Sequence, residues 1–276
     1  VVLFVAFHFI FIDFFVDLWW YQSLKLESYF WLRLLYKFFL SGGVTLVFFG
    51  IFFCHFWIAS RHLGLNPIEN LSRQQSGHFQ KFADTFVSGS VKIYTPISLV
   101  LAIVIASPFY SQWESTLLYF FGGASGVNET FYGNDVSFYM LSYPTYQLIQ
   151  QELLITAILV FGMVAGLYFF EHTYIPNQNK HYPKGAKIHL TLLIGFVVAF
   201  VMWGFMLERF SLLYTNTHEP IFFGPGFLEI RYQLPLIWAA MVTFFVAALI
   251  AIHFVHSDHS DSIWLHAART IGAGRR

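Results

Sequence analysis

The end of the last apolar segment carries the densest group of potential metal ligands in the sequence. The stretch HFVHSDHSD, residues 253–261, contains imidazole and carboxylate side chains, which together suit zinc, copper, nickel or iron. If the preceding helix continues, a spacing of three residues places the histidines along one side. The pattern predicts a metal site, with a polar helix end in water as the competing interpretation. The candidate ligands are His253, His256, Asp258, His259 and Asp261.

Two further histidines, His8 and His55, lie inside apolar stretches next to aromatic residues. A histidine in a membrane needs a partner, and it can ligate haem iron or the magnesium of a chlorophyll pigment. Both are therefore candidate cofactor-binding residues, and a hydrogen bond inside a helix bundle is the alternative. The sequence has one cysteine, Cys54, and no Cys-x-x-Cys-His motif, so neither attached haem nor an iron–sulfur cluster is predicted.

A carboxylate at Asp13 interrupts the first apolar stretch. A carboxylate in a membrane helix is costly unless it is paired or protonated. Asp13 therefore marks either a proton or ion path or a bond to a neighbouring helix. His8, Glu152 and His189 are the other groups that a transport path would use.

The composition indicates that lipid surrounds these residues. Apolar residues make up 57% of the 276 positions and charged residues 11%. Soluble domains contain roughly 45–50% apolar and about 25% charged residues, so a chain this poor in charge could not cover a surface facing water. The formal net charge is zero, so there is no general attraction to nucleic acid, and membrane lipids are the expected surroundings.

Six apolar segments are long enough to cross a bilayer, which needs about 20 residues per helix. Their continuous rather than alternating pattern predicts helices, and hence an all-α, polytopic transmembrane helix bundle. Interfacial helices are expected near 76–88 and in the stretch SQWESTLLYFFGG at 111–123. The bundle would occupy 1–256 and a polar tail 257–276. The predicted spans are 1–18, 34–58, 93–109, 148–170, 188–207 and 234–255.

The distribution of lysine and arginine predicts the orientation. With six spans, ten of these residues fall in the segments 59–92 and 171–187 and in the tail, and five fall on the opposite side. Because cytoplasmic loops carry the excess of positive charge, both termini are predicted to be cytoplasmic.

Three stretches, residues 16–37, 132–150 and 206–235, combine aromatic and charged residues, and the last two also contain glycine and proline. They resemble the uncharacterised protein family 0182, a group of prokaryotic multi-pass membrane proteins. Lys25 replaces a glycine of the family pattern, and Glu208 replaces an aspartate. The matching residues are Asp17, Trp20, Tyr21, Leu24, Phe30, Gly133, Asp135, Phe138, Tyr139, Pro144, Leu207, Arg209, Leu212, Leu213, Gly224, Gly226, Leu234 and Pro235.

The resemblance implies a multi-pass protein of a prokaryotic inner (cytoplasmic) or intracytoplasmic membrane. Members of the family usually add a seventh span and a large extracytoplasmic domain, so we expect the resemblance to cover their N-terminal membrane region. The family has no established activity, and the resemblance therefore informs the topology rather than a reaction.

By this topology the three stretches lie on the extracytoplasmic side, where glycine, proline and aromatic residues predict an ordered cap on the bundle. A ligand site is the alternative interpretation. Arg209 is expected to pair with Asp135, Glu208 or Glu229. The predicted cap residues are Asp17, Trp20, Asp135, Pro144, Arg209, Gly224, Gly226 and Glu229.

The interpretation favoured by these features is a non-catalytic integral membrane subunit, structural or accessory within a larger complex, that binds lipid, pigment or partner helices. The 35 phenylalanines and the scarcity of membrane-embedded charge favour it. A transporter or channel is one alternative, and a metal-binding redox subunit that uses residues 253–261 is another. No hydrolase or kinase signature is present in the sequence.

Overall fold

The computed structural model describes residues 2–62, 90–174, 184–216 and 224–256, and the side chains within 11–62, 92–169, 184–216 and 224–253. Each predicted apolar segment overlaps a helix, and a further short helix occupies the predicted interfacial stretch near 111–123. The helix predicted near 76–88 and the tail 257–276 lie outside the described residues. The helices are α1 (Val2–Ser23), α2 (Glu27–His62), α3 (Ser90–Ser111), α4 (Trp113–Phe121), α5 (Tyr143–Tyr174), α6 (Lys184–Ser211) and α7 (Leu234–His256).

The all-α fold class is confirmed, and no strand occurs among the described residues. Helices suit an apolar surrounding because each satisfies its own backbone hydrogen bonds. Within the described part of the chain, five stretches are long and apolar enough to cross a membrane: Glu27–His62, Lys92–Ser111, Phe138–Phe169, Lys184–Tyr214 and Glu229–His253. Helix α1 covers residues 2–18 of the first predicted segment and continues for five further residues.

The helices α2, α3 and α6 begin three to seven residues before their predicted starts, and two further helical stretches begin early through one widened turn each. A π-helical turn at Phe138–Ser142 precedes α5, and another at Glu229–Gln233 precedes α7. Tyr143 donates its backbone N–H to the carbonyl of Phe138, and Leu234 donates to the carbonyl of Glu229. The predicted starts at 148 and 234 therefore fall inside or after structure that is already helical.

The two widened turns share one local sequence pattern with a physical cause. A proline, Pro144 or Pro235, follows each turn after one further residue. Proline lacks an N–H, and its ring presses on the carbonyl four residues earlier, so a wider turn relieves the crowding. A glycine with positive φ, Gly133 (74°) or Gly224 (106°), lies five residues before each turn. Glycine adopts this conformation without a steric penalty and lets the chain turn into the helix.

The main core lies between α2 and α3. On α2, Phe48, Phe52 and Phe56 recur at intervals of four, so they share one buried face. The contacts between Phe48 and Phe109 and between Phe56 and Tyr94, at 6.3 and 6.5 Å between ring centroids, make the two helices antiparallel.

Small side chains on α3 allow the close approach of α2. Ser98, Ala102 and Ala106 are buried and recur at the same interval of four on α3. Small residues of this kind let two membrane helices pack with their backbones near each other. The large rings of one helix therefore occupy the space that the small side chains of the other leave free.

A second antiparallel pair, α5 and α6, is aligned by Gln150. The Gln150 Nε2 atom donates a hydrogen bond of 2.9 Å to the carbonyl oxygen of Phe200 on α6. A Cβ atom on Gly204 would lie 2.7 Å from this nitrogen, so any other residue there would displace the glutamine amide. The peripheral helices have simpler packing, because α7 packs mainly on α6 and α1 mainly on α2.

The contrast between buried and exposed rings on α2 gives a first prediction. Phe52 is fully buried, whereas Phe39 on the same helix is 79% exposed. Phe52→Ala should lower the free energy of unfolding by about 2 kcal/mol, because the cavity forfeits packing contacts even where lipid is as apolar as the core. Thermal unfolding in detergent measures this, with Phe39→Ala as the matched control. Equal effects of the two substitutions would contradict the assignment of the core.

Candidate functional site

A histidine pair lies inside the bundle at the end where α2 finishes and α6 begins. The Nδ1 atom of His55, on α2, lies 3.1 Å from the Nε2 atom of His189, on α6, and the two rings are parallel within 4°. The Nδ1 atom of His189 lies 3.0 Å from the hydroxyl of Tyr168 on α5. His189 is 4% exposed and His55 is half-buried. Three helices therefore each contribute one polar group to a continuous hydrogen-bonded chain.

A cavity of about 180 Å³ lies beside this chain between α2, α5 and α6. His55 and Thr156 are the two polar residues of its lining. The Thr156 hydroxyl donates to the carbonyl oxygen of Glu152 at 2.7 Å. The remaining lining residues are Ile51, Leu153, Ala157, Val160, Leu193, Phe196 and Phe200.

The opposite end of the bundle carries a cap of aromatic residues around Phe210. The rings of Tyr132, Phe138, Tyr139 and Tyr143 lie between 5.2 and 6.2 Å from the ring of Phe210. Such edge-on ring pairs each add stability beyond the area that they bury. The cap therefore joins the 132–150 stretch to the end of α6.

Tyrosine hydroxyls connect the cap to the backbone. The Tyr132 hydroxyl donates to the carbonyl oxygen of Arg209 at 2.8 Å, and the Tyr214 hydroxyl donates to that of Tyr139 at 2.6 Å. The Glu129 carboxylate accepts from the Tyr132 amide at 2.8 Å and from the Tyr139 hydroxyl at 3.1 Å. Burial raises the pKa of Tyr132, so this hydroxyl stays protonated as a donor.

Asp135 organises the loop that precedes the cap. Its carboxylate accepts hydrogen bonds from the amides of Ser125, Gly126 and Ser137, at 3.1, 2.9 and 2.7 Å, and from the Ser125 hydroxyl at 2.7 Å. The hydrogen bonds from Ser137 and Ser125, followed by that from Gly126, hold the pKa of Asp135 well below its usual range. Residues 125–137 have little regular secondary structure, and the hydrogen bonds to this carboxylate hold the two ends of the loop together.

Arg209 contacts rings where an ion pair was the expectation. Its guanidinium carbon lies 4.5 Å from the centroid of the Phe210 ring and 5.8 Å from that of Tyr132, which are cation–π distances. The three acidic side chains that were expected as partners accept hydrogen bonds from nearby groups. Those of Asp135 are given above. The Glu208 carboxylate accepts from the Ser211 hydroxyl at 3.2 Å, and the Glu229 carboxylate accepts from the Gly226 amide at 2.9 Å.

The other predicted cap residues fall in two places. Pro144 follows the first widened turn, and Gly224 and Gly226 precede the second. Asp17 and Trp20 are exposed on α1, where Trp20 makes an edge-on contact with Tyr21 at 5.0 Å.

The structure describes the side chains of only two of the predicted metal and cofactor ligands, His55 and His253. His253 is exposed near the end of α7, and the side chains of His256, Asp258, His259 and Asp261 lie outside the described residues, as does that of His8. Among the described residues, no group of three or more histidine, cysteine, aspartate or glutamate side chains is close enough to hold a metal ion. His55 lies at the cavity, and its partner His189 is 134 positions away, a pairing that no local pattern indicates.

Comparison with known proteins gives the same family that the sequence motifs resemble. The family description "Uncharacterised protein family (UPF0182)" matches residues 1–272. The chain belongs to the UPF0182 family. It is 44% identical over 248 residues to the UPF0182 protein MCA2716 of Methylococcus capsulatus, and this match covers 90% of the chain and 28% of the relative.

Two further UPF0182 relatives give a similar result. The chain is 39% identical to a UPF0182 protein of Syntrophobacter fumaroxidans and 40% identical to one of Nitrosococcus oceani, in each case over 89% of the chain and 28% of the relative. The chain thus spans less than a third of the length of these relatives. No solved structure matches it.

The charge on Asp135 gives a prediction for the loop of this UPF0182 chain. Because its pKa is lowered in the folded state, its stabilising effect is present above the unfolded pKa, near 3.9, and is lost as the pH falls through the folded value. Asp135→Asn should therefore speed amide hydrogen exchange across residues 125–137 at neutral pH and flatten its acid dependence. Asp17→Asn, at an exposed carboxylate, is the control, and unchanged exchange in Asp135→Asn would refute this role.

The hydrogen bond between Tyr168 and His189 gives a second prediction. Tyr168→Phe leaves the Nδ1 atom of His189 without this buried partner, which should lower the free energy of unfolding by about 1–2 kcal/mol. Thermal unfolding in detergent measures the change. Tyr232→Phe, at a tyrosine that is 61% exposed, should have no effect. A wild-type melting temperature for Tyr168→Phe would mean that the bond does not stabilise the bundle.

Proposed function

We propose that this chain is a non-catalytic, membrane-embedded helix bundle that acts as a structural or accessory part of a larger membrane protein assembly. The observation that supports the proposal is Asp13, an exposed carboxylate in the apolar helix α1. It lies five residues before the end of the first predicted span at residue 18, which corresponds to about 7.5 Å along the helix axis. That distance is about a quarter of the thickness of the hydrocarbon core of a bilayer, so the carboxylate would lie inside the core and not at its edge.

A carboxylate at this depth needs a partner. Placing an aspartate at the centre of a membrane helix costs about 2.5–3.5 kcal/mol, which a neighbouring donor or cation offsets. The described residues of this chain provide no hydrogen bond or ion pair to Asp13, and Phe11, Ile12 and Val16 around it are exposed. The partner therefore comes from outside the described part of the chain.

The packing of α1 leaves space for such a partner. The described interhelical contacts of α1 lie at the beginning of α2, where the ring of Phe14 is 5.5 Å from that of Phe30 and the Tyr21 hydroxyl is 3.3 Å from Arg33. We infer that a transmembrane helix with a lysine, an arginine or a hydrogen-bonding side chain packs beside Asp13. The other surroundings are membrane lipids.

The membrane in question is, by this proposal, the prokaryotic inner or an intracytoplasmic membrane, with both termini of the bundle in the cytoplasm. The excess of lysine and arginine in segments 59–92 and 171–187 and in the tail supports this orientation. The end of the bundle with the histidine pair would then be near the cytoplasm, and the aromatic cap would be on the other side.

Substitution of Asp13 in the full-length protein in its native membrane tests the proposal. After extraction in a gentle detergent, the wild type should migrate as a larger assembly, Asp13→Asn should retain part of it, and Asp13→Leu should lose it. Asp17→Asn is the matched control and should behave as wild type. Recovery of the wild type as a single chain, or intact assemblies with Asp13→Leu, would refute the proposal.

A further inference from the structure

We propose that the cavity beside His55 binds the ring of a membrane-soluble phenol, quinone or quinol, with an oxygen atom of the ring hydrogen-bonded to the Nε2 atom of His55. The inference rests on the cavity and on the chain of polar groups behind it. It is independent of the partner helix at Asp13, and either proposal can fail without the other.

The size of the cavity selects a single ring. An engineered protein cavity of about 150 Å³ with Leu, Ile and Phe walls stays dry and binds benzene. The cavity of about 180 Å³ here has walls of the same kind, from residues such as Leu153, Leu193 and Phe196. It therefore has room for one substituted six-membered ring, whereas a tetrapyrrole pigment is several times larger than the space available.

The polar atoms at the cavity favour an oxygen-bearing ring over a plain hydrocarbon. The Nδ1 atom of His55 is occupied by His189, which leaves Nε2 as the only ring nitrogen available to a ligand. The Thr156 hydroxyl donates its hydrogen to the Glu152 carbonyl, so toward the cavity it can only accept. One ligand oxygen can thus be met by an imidazole and, where the ligand has an O–H, by a hydroxyl acceptor.

The chain of hydrogen bonds allows His55 to present either a donor or an acceptor. If Tyr168 donates to His189, then His189 donates to His55, and the Nε2 atom of His55 carries a hydrogen that suits a quinone carbonyl. If every bond of the chain reverses, the same atom offers a lone pair that suits the O–H of a phenol or quinol. These residues therefore suit a membrane compound that exists as both a quinone and a quinol.

The ligand would enter from the lipid. Phe196 is 48% exposed and His55 is half-buried, so these two lining residues extend from the cavity to the outer surface of the bundle. An apolar tail on the ring could pass beside these two residues, whose rings contact each other edge-on at 6.5 Å, into the hydrocarbon. This route distinguishes the proposed ligand from a water-soluble metabolite, which would need a polar entrance.

Two fluorinated probes test the ring and the oxygen separately. Fluorine NMR titrations of 4-fluorophenol and fluorobenzene use the purified protein in detergent micelles, with empty micelles as the reference for partitioning. The wild type should bind both probes saturably. Ala157→Phe, which fills the cavity, should lose both, and Ala157→Leu serves the same purpose if the larger side chain prevents folding.

The histidine variant isolates the hydrogen bond. His55→Leu should weaken 4-fluorophenol binding about 3- to 10-fold, the effect of one hydrogen bond, and leave fluorobenzene binding unchanged. His253→Leu is the matched control at an exposed histidine and should change neither affinity. A fully substituted quinone with a decyl tail, and its quinol, should each displace 4-fluorophenol from the wild type.

Three results would overturn the inference. If a folded cavity-filled variant binds each probe as tightly as the wild type does, the probes bind outside the cavity. If His55→Leu weakens the binding of 4-fluorophenol and fluorobenzene equally, the proposed hydrogen bond does not contribute to binding. Failure of the quinone and quinol to displace 4-fluorophenol would exclude them as ligands. Circular dichroism of each variant verifies that the helices are retained.

Discussion

In an apolar surrounding, a polar group inside the protein has to find its hydrogen-bond partner within the protein, because neither lipid nor bulk water supplies one. Most of the described interior follows that constraint, and the buried Ser98 hydroxyl, which has no hydrogen-bond partner among the described residues, is an exception. Helices satisfy the backbone, threonines such as Thr156 bond to a carbonyl one turn earlier, and Gln150 bonds to the backbone of a neighbouring helix. The pair of His55 and His189, completed by Tyr168, is the longest such arrangement described between helices.

Composition and continuous apolar runs were sufficient to predict the fold class and the location of the helices. They could not predict where α5 and α7 begin, because a proline near the start of an apolar run usually indicates the first turn of a helix. Here the helical structure starts before Pro144 and Pro235, through a widened turn that the sequence rules do not include. The same combination of glycine, wide turn and proline at both helices is a structural similarity that apolar periodicity does not detect.

The candidate site shows a second limit of sequence reasoning. His55 was recognisable because a histidine in an apolar run needs a partner, but the identity of that partner depends on how α2 and α6 pack. In the cap, by contrast, the sequence did indicate which segments lie together, because residues of the 132–150 and 206–235 stretches meet around Phe210. For Arg209 the structure describes aromatic rings beside the guanidinium, a contact that the sequence did not indicate, and the acidic partner stays a prediction.

The contact between Gln150 and Gly204 has a mechanical consequence. The glutamine amide fits over a position without a side chain and bonds to the backbone of α6, so it opposes sliding of α5 along α6. A shift by one helical turn would displace the amide by about 5.4 Å and leave both the amide and the carbonyl of Phe200 without partners in an apolar environment. The bond therefore favours one register of α5 against α6, and tilting of the outer helices, α1 and α7, would leave that register unchanged.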